Sequence, residues 1–284
     1  MITKGINQWS YPGGLDGTLD PAEFLGKAAR DGYESAELCM DESGAFNINA
    51  TQSQCEDLVA LAASLKLSLR TTASGLYWGY SLGSADAADR TKAVDALKKM
   101  IQISAWLGAK THLTITGAVD VFFLPDRPAQ SYDEVLKHST DGLKQVLPLA
   151  EGLGVRLGLE NVWNKFLLSP TEISSFIDSF GSPALGAYVD VGNILPYGYP
   201  EQWLRILGPR VAAVHFKDFR RAVGTAEGFV DLLEGDVNWP EVMKALGEIS
   251  YDGPVTAELI PGYKFYPEVR CQNTSRAMDA ILGR

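Results

Sequence analysis

Apolar positions along the chain fall into two alternating patterns. Short runs of five or six residues crowd apolar side chains together, and between them lie longer segments with apolar residues three and four apart. The first pattern predicts strands at 4–8, 35–40, 67–72, 111–116, 155–160, 185–190, 211–216 and 254–259. The second predicts helices at 21–31, 51–65, 85–107, 132–153, 170–180, 200–208, 239–249 and 267–282. Boundary residues agree: Pro21, Pro200 and Pro240 suit a first helical turn, and Asp20, Thr51 and Asn238 suit N-caps. Gly32, Gly108 and Gly154 fall where helices should stop. Eight strand–helix units in strict alternation predict an α/β fold with a parallel sheet, closed into a single (β/α)₈ TIM barrel over residues 1–284. An open doubly wound sheet is the alternative. No GxGxxG follows the first strand and no GxxxxGK[ST] occurs, so dinucleotide or nucleoside-triphosphate binding is not suggested. The longest connections, 40–50, 117–131 and 217–236, all follow a strand, which in a barrel puts them on the catalytic face.

Composition narrows the function. Net charge is −10, which argues against a nucleic-acid surface with its basic footprint. No apolar run approaches the roughly 18 residues of a membrane span, and the first residues lack a signal-peptide core. The three cysteines, Cys39, Cys55 and Cys271, form no CxxC pair, which fits reduced thiols and a cytoplasmic location.

Four late strands each end in a side chain able to bind metal: Glu160 in VRLGLE, Asp190 in AYVD, His215 in AAVH and Glu258 in VTAE. A charge at the end of an apolar strand needs a partner, because burying it alone is costly. A single such residue is as readily a helix cap or half an ion pair. In a barrel, however, four strand ends open on one mouth, and their side chains can converge. Three carboxylates and one imidazole make a hard, mostly oxygen site for one divalent ion. Mn²⁺ or Mg²⁺ suits it best, with Co²⁺ or Zn²⁺ as alternatives. Such an ion could act as a Lewis acid, and two flanking carboxylates could serve as acid and base.

The stretches GLENVWNKF, YVDVGN, VHFKDF, LEGDVNWPEV and VTAEL resemble the sugar isomerase/epimerase superfamily with the xylose-isomerase-like barrel. The likeness spans nearly the whole chain. It is greatest to L-ribulose-5-phosphate 3-epimerases and more distant to D-tagatose 3-epimerases. The resemblance implies that Glu160 and Glu258 both bind metal and transfer protons, and that Asp190 and His215 complete the ligand set. It places Arg221 near substrate oxygens. It also implies a homodimer or homotetramer and a small sugar or sugar phosphate as the partner. Two departures stand out. Free-sugar epimerases carry a histidine where this chain has Asn193, and NVWNKF lacks their further glutamate. Asn193 looks more like the ribulose-phosphate branch.

Other residues carry weaker signals. Glu37 could hold a substrate hydroxyl or form a structural ion pair. Lys217 could bind a substrate oxygen or phosphate, or pair with Asp218 or Glu258. Together with Arg220 and Arg221 it forms a basic cluster in an acidic chain, and the plainer reading pairs these with Asp218, Glu227 or Asp231. Trp9, Tyr11, Trp78, Trp163 and Trp239 could line a sugar pocket, although packing suits Trp239 equally well. His112, inside an apolar strand, reads as a hydrogen-bonded core histidine. The leading function is epimerisation or aldose–ketose isomerisation of a ketose or ketose phosphate. A lyase or dehydratase acting on a keto-sugar or inosose is the alternative. A three-zinc DNA-repair site requires many more histidines than the three present. A non-catalytic sugar-binding barrel fits poorly with four retained ligands.

Overall fold

A computed structural model describes residues 2–260 and 262–284. Eight parallel strands close into a barrel: β1 (Thr3–Asn7), β2 (Ser35–Met40), β3 (Thr71–Ser74), β4 (Thr111–Thr114), β5 (Arg156–Glu160), β6 (Leu185–Asp190), β7 (Val211–Phe216) and β8 (Pro254–Ala257). Each strand pairs with its neighbours in sequence, and β8 closes on β1 with Gly5 opposite Thr256. The long helices follow strand by strand: α1 (Pro21–Arg30), α2 (Gln52–Ser64), α3 (Ala87–Trp106), α4 (Tyr132–Leu153), α5 (Pro170–Asp178), α6 (Pro200–Leu207), α7 (Trp239–Glu248) and α8 (Pro267–Leu282). The fold is the (β/α)₈ barrel that the alternation predicts.

The helix starts form for the expected physical reasons. Asp20 accepts the backbone N–H groups of Ala22 and Glu23, and Thr51 exchanges bonds with Gln54 in a capping box. Gly154 ends α4 at φ 66°, in the left-handed region that suits glycine. One boundary is displaced. The strand expected from Leu67 begins at Thr71, because Ser68 makes only an isolated bridge to Ser35 at the start of β2. Leu67 and Leu69 on either side of Ser68 are buried in the core.

Register sets the site. Asp190 lies opposite His215, and Glu160 opposite Tyr188. Glu258 falls one residue past β8, where its N–H still bonds to the Phe216 carbonyl. Gly158 makes room for Tyr188, since a Cβ there would sit 3.1 Å from the tyrosine Cβ. The chain after β7 forms a two-residue antiparallel ribbon, Asp218–Phe219 with Phe229–Val230. Among the described residues no helix is long and apolar enough to cross a membrane. All three cysteines are buried and free.

Candidate metal centre and substrate cavity

Glu160, Asp190, His215 and Glu258 meet at the C-terminal mouth of the barrel, each offering one ligand atom within 4.8 Å of the others. Asp190 ends β6 and caps the single turn Val191–Ile194, its Oδ1 accepting the Asn193 N–H at 2.9 Å. Its Oδ2 is left turned inward. Asn161 fixes the Asp190 backbone from both sides, accepting its N–H at 2.9 Å and donating to its carbonyl at 2.8 Å. His215 is fully buried, and its Nε2 lies 2.7 Å from Glu37 Oε1. With Nε2–H given to that carboxylate, Nδ1 is the nitrogen left facing Glu258 at 3.2 Å and Glu160 at 3.8 Å.

Three buried atoms here have no hydrogen-bond partner among the described residues: Asp190 Oδ2, His215 Nδ1 and Glu258 Oε2. The Lys217 ammonium contacts two of them as an ion pair, 2.7 Å from Glu258 Oε2 and 3.3 Å from Asp190 Oδ2. Four carboxylates, Glu37 included, thus gather around one ammonium and one imidazole, an excess of acidic groups whose hard oxygen and nitrogen donors fit a divalent cation. The electrostatics agree. Burial pushes the Glu160 carboxyl up to about 7, and the nearby Glu258 adds to the rise. Burial also acts to raise Glu258, but Lys217 and His215 outweigh it and hold that carboxyl down to about 2. Burial raises Asp190 as well. Burial acts to lower His215, yet the surrounding carboxylates, Glu37 first, hold it well above its ordinary value.

Above the cluster lies a cavity of about 460 Å³. Of the residues singled out in the sequence, Asn193, Lys217, Trp163, Trp9 and Trp78 line it with Glu160 and Glu258. Lys217 reaches it because Gly192 lets the chain pass; a Cβ at Gly192 would lie 2.5 Å from that of Lys217. Trp163 is anchored by donating its indole N–H to the Asn193 carbonyl at 2.9 Å.

Two of the residues weighed as substrate contacts, Glu37 and Arg221, do not line the cavity. Glu37 does not face the cavity. It is fully buried beneath it, receiving the amide of Asn7 at 2.6 Å and the Tyr188 hydroxyl besides His215. Its partners identify it as the group that orients His215. Arg221 has its guanidinium 4.7 Å from the Tyr199 ring centroid, and its backbone N–H donates to Asp236 at 2.8 Å. Arg220 bonds to the Glu234 carbonyl and lies 3.7 Å from its carboxylate. The basic cluster therefore does not form at the mouth. Its expected partner Asp218 is occupied with loop N–H groups and the Trp239 indole, which packs in the core. Tyr11 is likewise buried, its hydroxyl on Asp31. His112 is the expected core histidine, bonded to Thr72 and Tyr77. Sequence reasoning missed Asn161 and Tyr188. Neither interrupts the local pattern, and their roles depend on strands paired across the barrel.

Fold and site together define a (β/α)₈ barrel with a carboxylate–histidine cluster at its mouth. A family model described as "Xylose isomerase-like TIM barrel" matches residues 25–276, and the chain belongs to that family. It is 26% identical to the "Putative L-ribulose-5-phosphate 3-epimerase SgbU" of Escherichia coli K12 over 257 residues, 88% of this chain and 87% of the relative. It is 25% identical to the "L-ribulose-5-phosphate 3-epimerase UlaE" of Salmonella paratyphi A, over 91% and 89% of the two chains. Solved structures share the fold. A D-psicose 3-epimerase from Clostridium cellulolyticum H10 superposes with TM-score 0.78 at 16% identity, covering 99% and 97% of the chains. The 3-keto-D-glucoside 4-epimerase YcjR of E. coli superposes with TM-score 0.77 at 14% identity over the whole of both.

Proposed function

We propose that this chain is a metal-dependent sugar epimerase or isomerase that moves a proton at a carbon beside a carbonyl. The observation that carries the reading is the convergence of Glu160, Asp190, His215 and Glu258, each with a ligand atom within 4.8 Å of the others. The names of two sequence relatives, "Putative L-ribulose-5-phosphate 3-epimerase SgbU" and "L-ribulose-5-phosphate 3-epimerase UlaE", support the class. A divalent ion held by these four residues, Mn²⁺ or Mg²⁺ by the hardness of the donors, would polarise the carbonyl and offset the charge developing on its oxygen. Glu160 on β5 and Glu258 after β8 reach the substrate space from separate strands, so one can take the proton while the other returns it on the opposite face. Lys217, beside Glu258, supplies an N–H donor for a substrate oxygen.

The test is solvent exchange. With an accepted ketose in deuterated water, deuterium should appear at the reacting carbon, and Glu258→Gln should abolish most of it while retaining partial metal binding. Asp190→Ala and His215→Ala should each lose the metal. Full metal occupancy in both, or near-normal exchange in Glu258→Gln, overturns the reading. Product analysis separates epimerisation from the loss of a β-substituent that a lyase would catalyse.

A further inference from the structure

The walls of the cavity say more about the substrate than its floor does. Among the described residues, Lys217 is the only arginine or lysine that lines it, and its ammonium is already shared between Asp190 and Glu258. Three carboxylates, Asp41, Glu160 and Glu258, also face the space. Arg220 and Arg221 are engaged outside it. Among the described residues, a phosphate dianion would therefore find in the cavity wall no arginine fork and no cation other than the carboxylate-paired Lys217.

The remaining wall is aromatic and continuous. Trp78, Phe123, Phe122, Trp163 and Phe229 follow one another with successive ring centroids 5.0, 5.2, 5.9 and 5.0 Å apart. The inner end lies beside the proposed reacting groups, since the Lys217 ammonium sits 5.2 Å from the Phe229 centroid. The row is open where Phe122 and Phe123 stand, 56% and 46% exposed although both line the cavity. The outer wall is also braced, because Arg127 from the same loop donates to the Trp78 carbonyl at 2.7 Å. A six-carbon sugar chain, with bonds of about 1.5 Å, reaches only roughly 6 Å. Placed at the inner end, it leaves the outer rings uncovered. A cavity of about 460 Å³ lies within the roughly 300–1,000 Å³ range of sites that enclose drug-sized ligands.

We propose that the mouth binds an unphosphorylated sugar carrying a flat apolar substituent, the sugar at Glu160, Glu258 and Lys217 and the substituent against Trp78, Phe123 and Phe122. This rests on the sugar reading above and names the substrate class. The unbroken passage of the exposed rings into the cavity favours a ligand over a second copy of the chain as the cover of that rim.

Calorimetry and tryptophan quenching on the Mn²⁺-loaded protein test it. The probes are a panel of phenyl glycosides with matching methyl glycosides, and a panel of ketoses with matching ketose phosphates. The phenyl member should bind about tenfold tighter than its methyl partner, as expected of added ring–ring contact, and the phosphates should bind more weakly than the free ketoses. Phe123→Ala and Phe122→Ala should each cut the phenyl advantage to within about twofold and leave methyl glycoside binding unchanged. Equal phenyl and methyl affinities, or tighter phosphate binding, overturn the proposal. So does a dimer that dissociates in either variant with no change in ligand affinity. Failure of the sugar reading itself looks different: no sugar of either panel binds, and no solvent deuterium is incorporated.

Discussion

Replacing Glu37 with glutamine probes the link between the barrel interior and the metal site. The wild-type carboxylate is fully buried and receives His215 Nε2–H at 2.7 Å, the Asn7 amide at 2.6 Å and the Tyr188 hydroxyl. Glutamine keeps the volume but supplies one acceptor oxygen and an NH₂ group, so one of the three donors would face another donor. It also removes the negative charge that keeps Nδ1 of His215 basic. Loss of such an orienting partner costs metal affinity about 10- to 100-fold, or about 1.4–2.7 kcal/mol. Because a bound ion stabilises the folded state by mass action, the same loss appears in thermal unfolding. At saturating free metal, the metal-induced rise in Tm should shrink by about 2–4 °C per kcal/mol for a chain of this size. Mn²⁺ calorimetry and paired melts with and without metal measure both quantities. Unchanged metal affinity with only a raised KM would refute the reasoning and restore Glu37 to direct contact with substrate.

Gly192→Ala should destabilise by about 1–3 kcal/mol and impair turnover, because its Cβ would lie 2.5 Å from Lys217 Cβ and 2.9 Å from the Lys217 carbonyl carbon; chemical denaturation showing a loss under about 0.5 kcal/mol contradicts this. Arg221→Ala should change stability by less than about 0.5 kcal/mol and leave the relative efficiency for a ketose and its phosphate unaltered; a collapse in phosphate use in that variant would return Arg221 to the substrate. His112 gives a pH prediction. Burial lowers its pKa from 6.5 to about 3, so the unfolded chain takes up a proton over a range in which the folded chain does not. The stability due to its neutral form is complete above about pH 6.5 and is lost as pH falls toward 3, by about 1.4 kcal/mol per unit. His112→Gln should flatten the dependence of unfolding free energy on pH between 6.5 and 4.5 by about that slope, and parallel curves for the two proteins would exclude it.

The alternation of apolar runs with amphipathic segments determined eight strands each covered by a helix and favoured the barrel over an open sheet, and the pairing of β8 with β1 decided it. The same pattern marked the metal-capable residues, because Glu160, Asp190, His215 and Glu258 each interrupt an apolar strand at its mouth end. Partners across the barrel were not legible. Glu37 reads equally well as a substrate contact or an ion pair until β2 and β7 are placed in one cylinder, where its carboxylate meets His215. Tyr188 reads as core, and only the register between β5 and β6 with the gap at Gly158 directs its hydroxyl to Glu37. The loop after β7 shows the converse. Lys217, Arg220 and Arg221 are neighbours in sequence, but the ribbon formed with residues 229–230 turns the arginines outward and leaves Lys217 inside. Local pattern records which face of an element must be buried. Side-chain direction in a loop, and contacts between strands far apart in the chain, follow only from how the whole barrel closes.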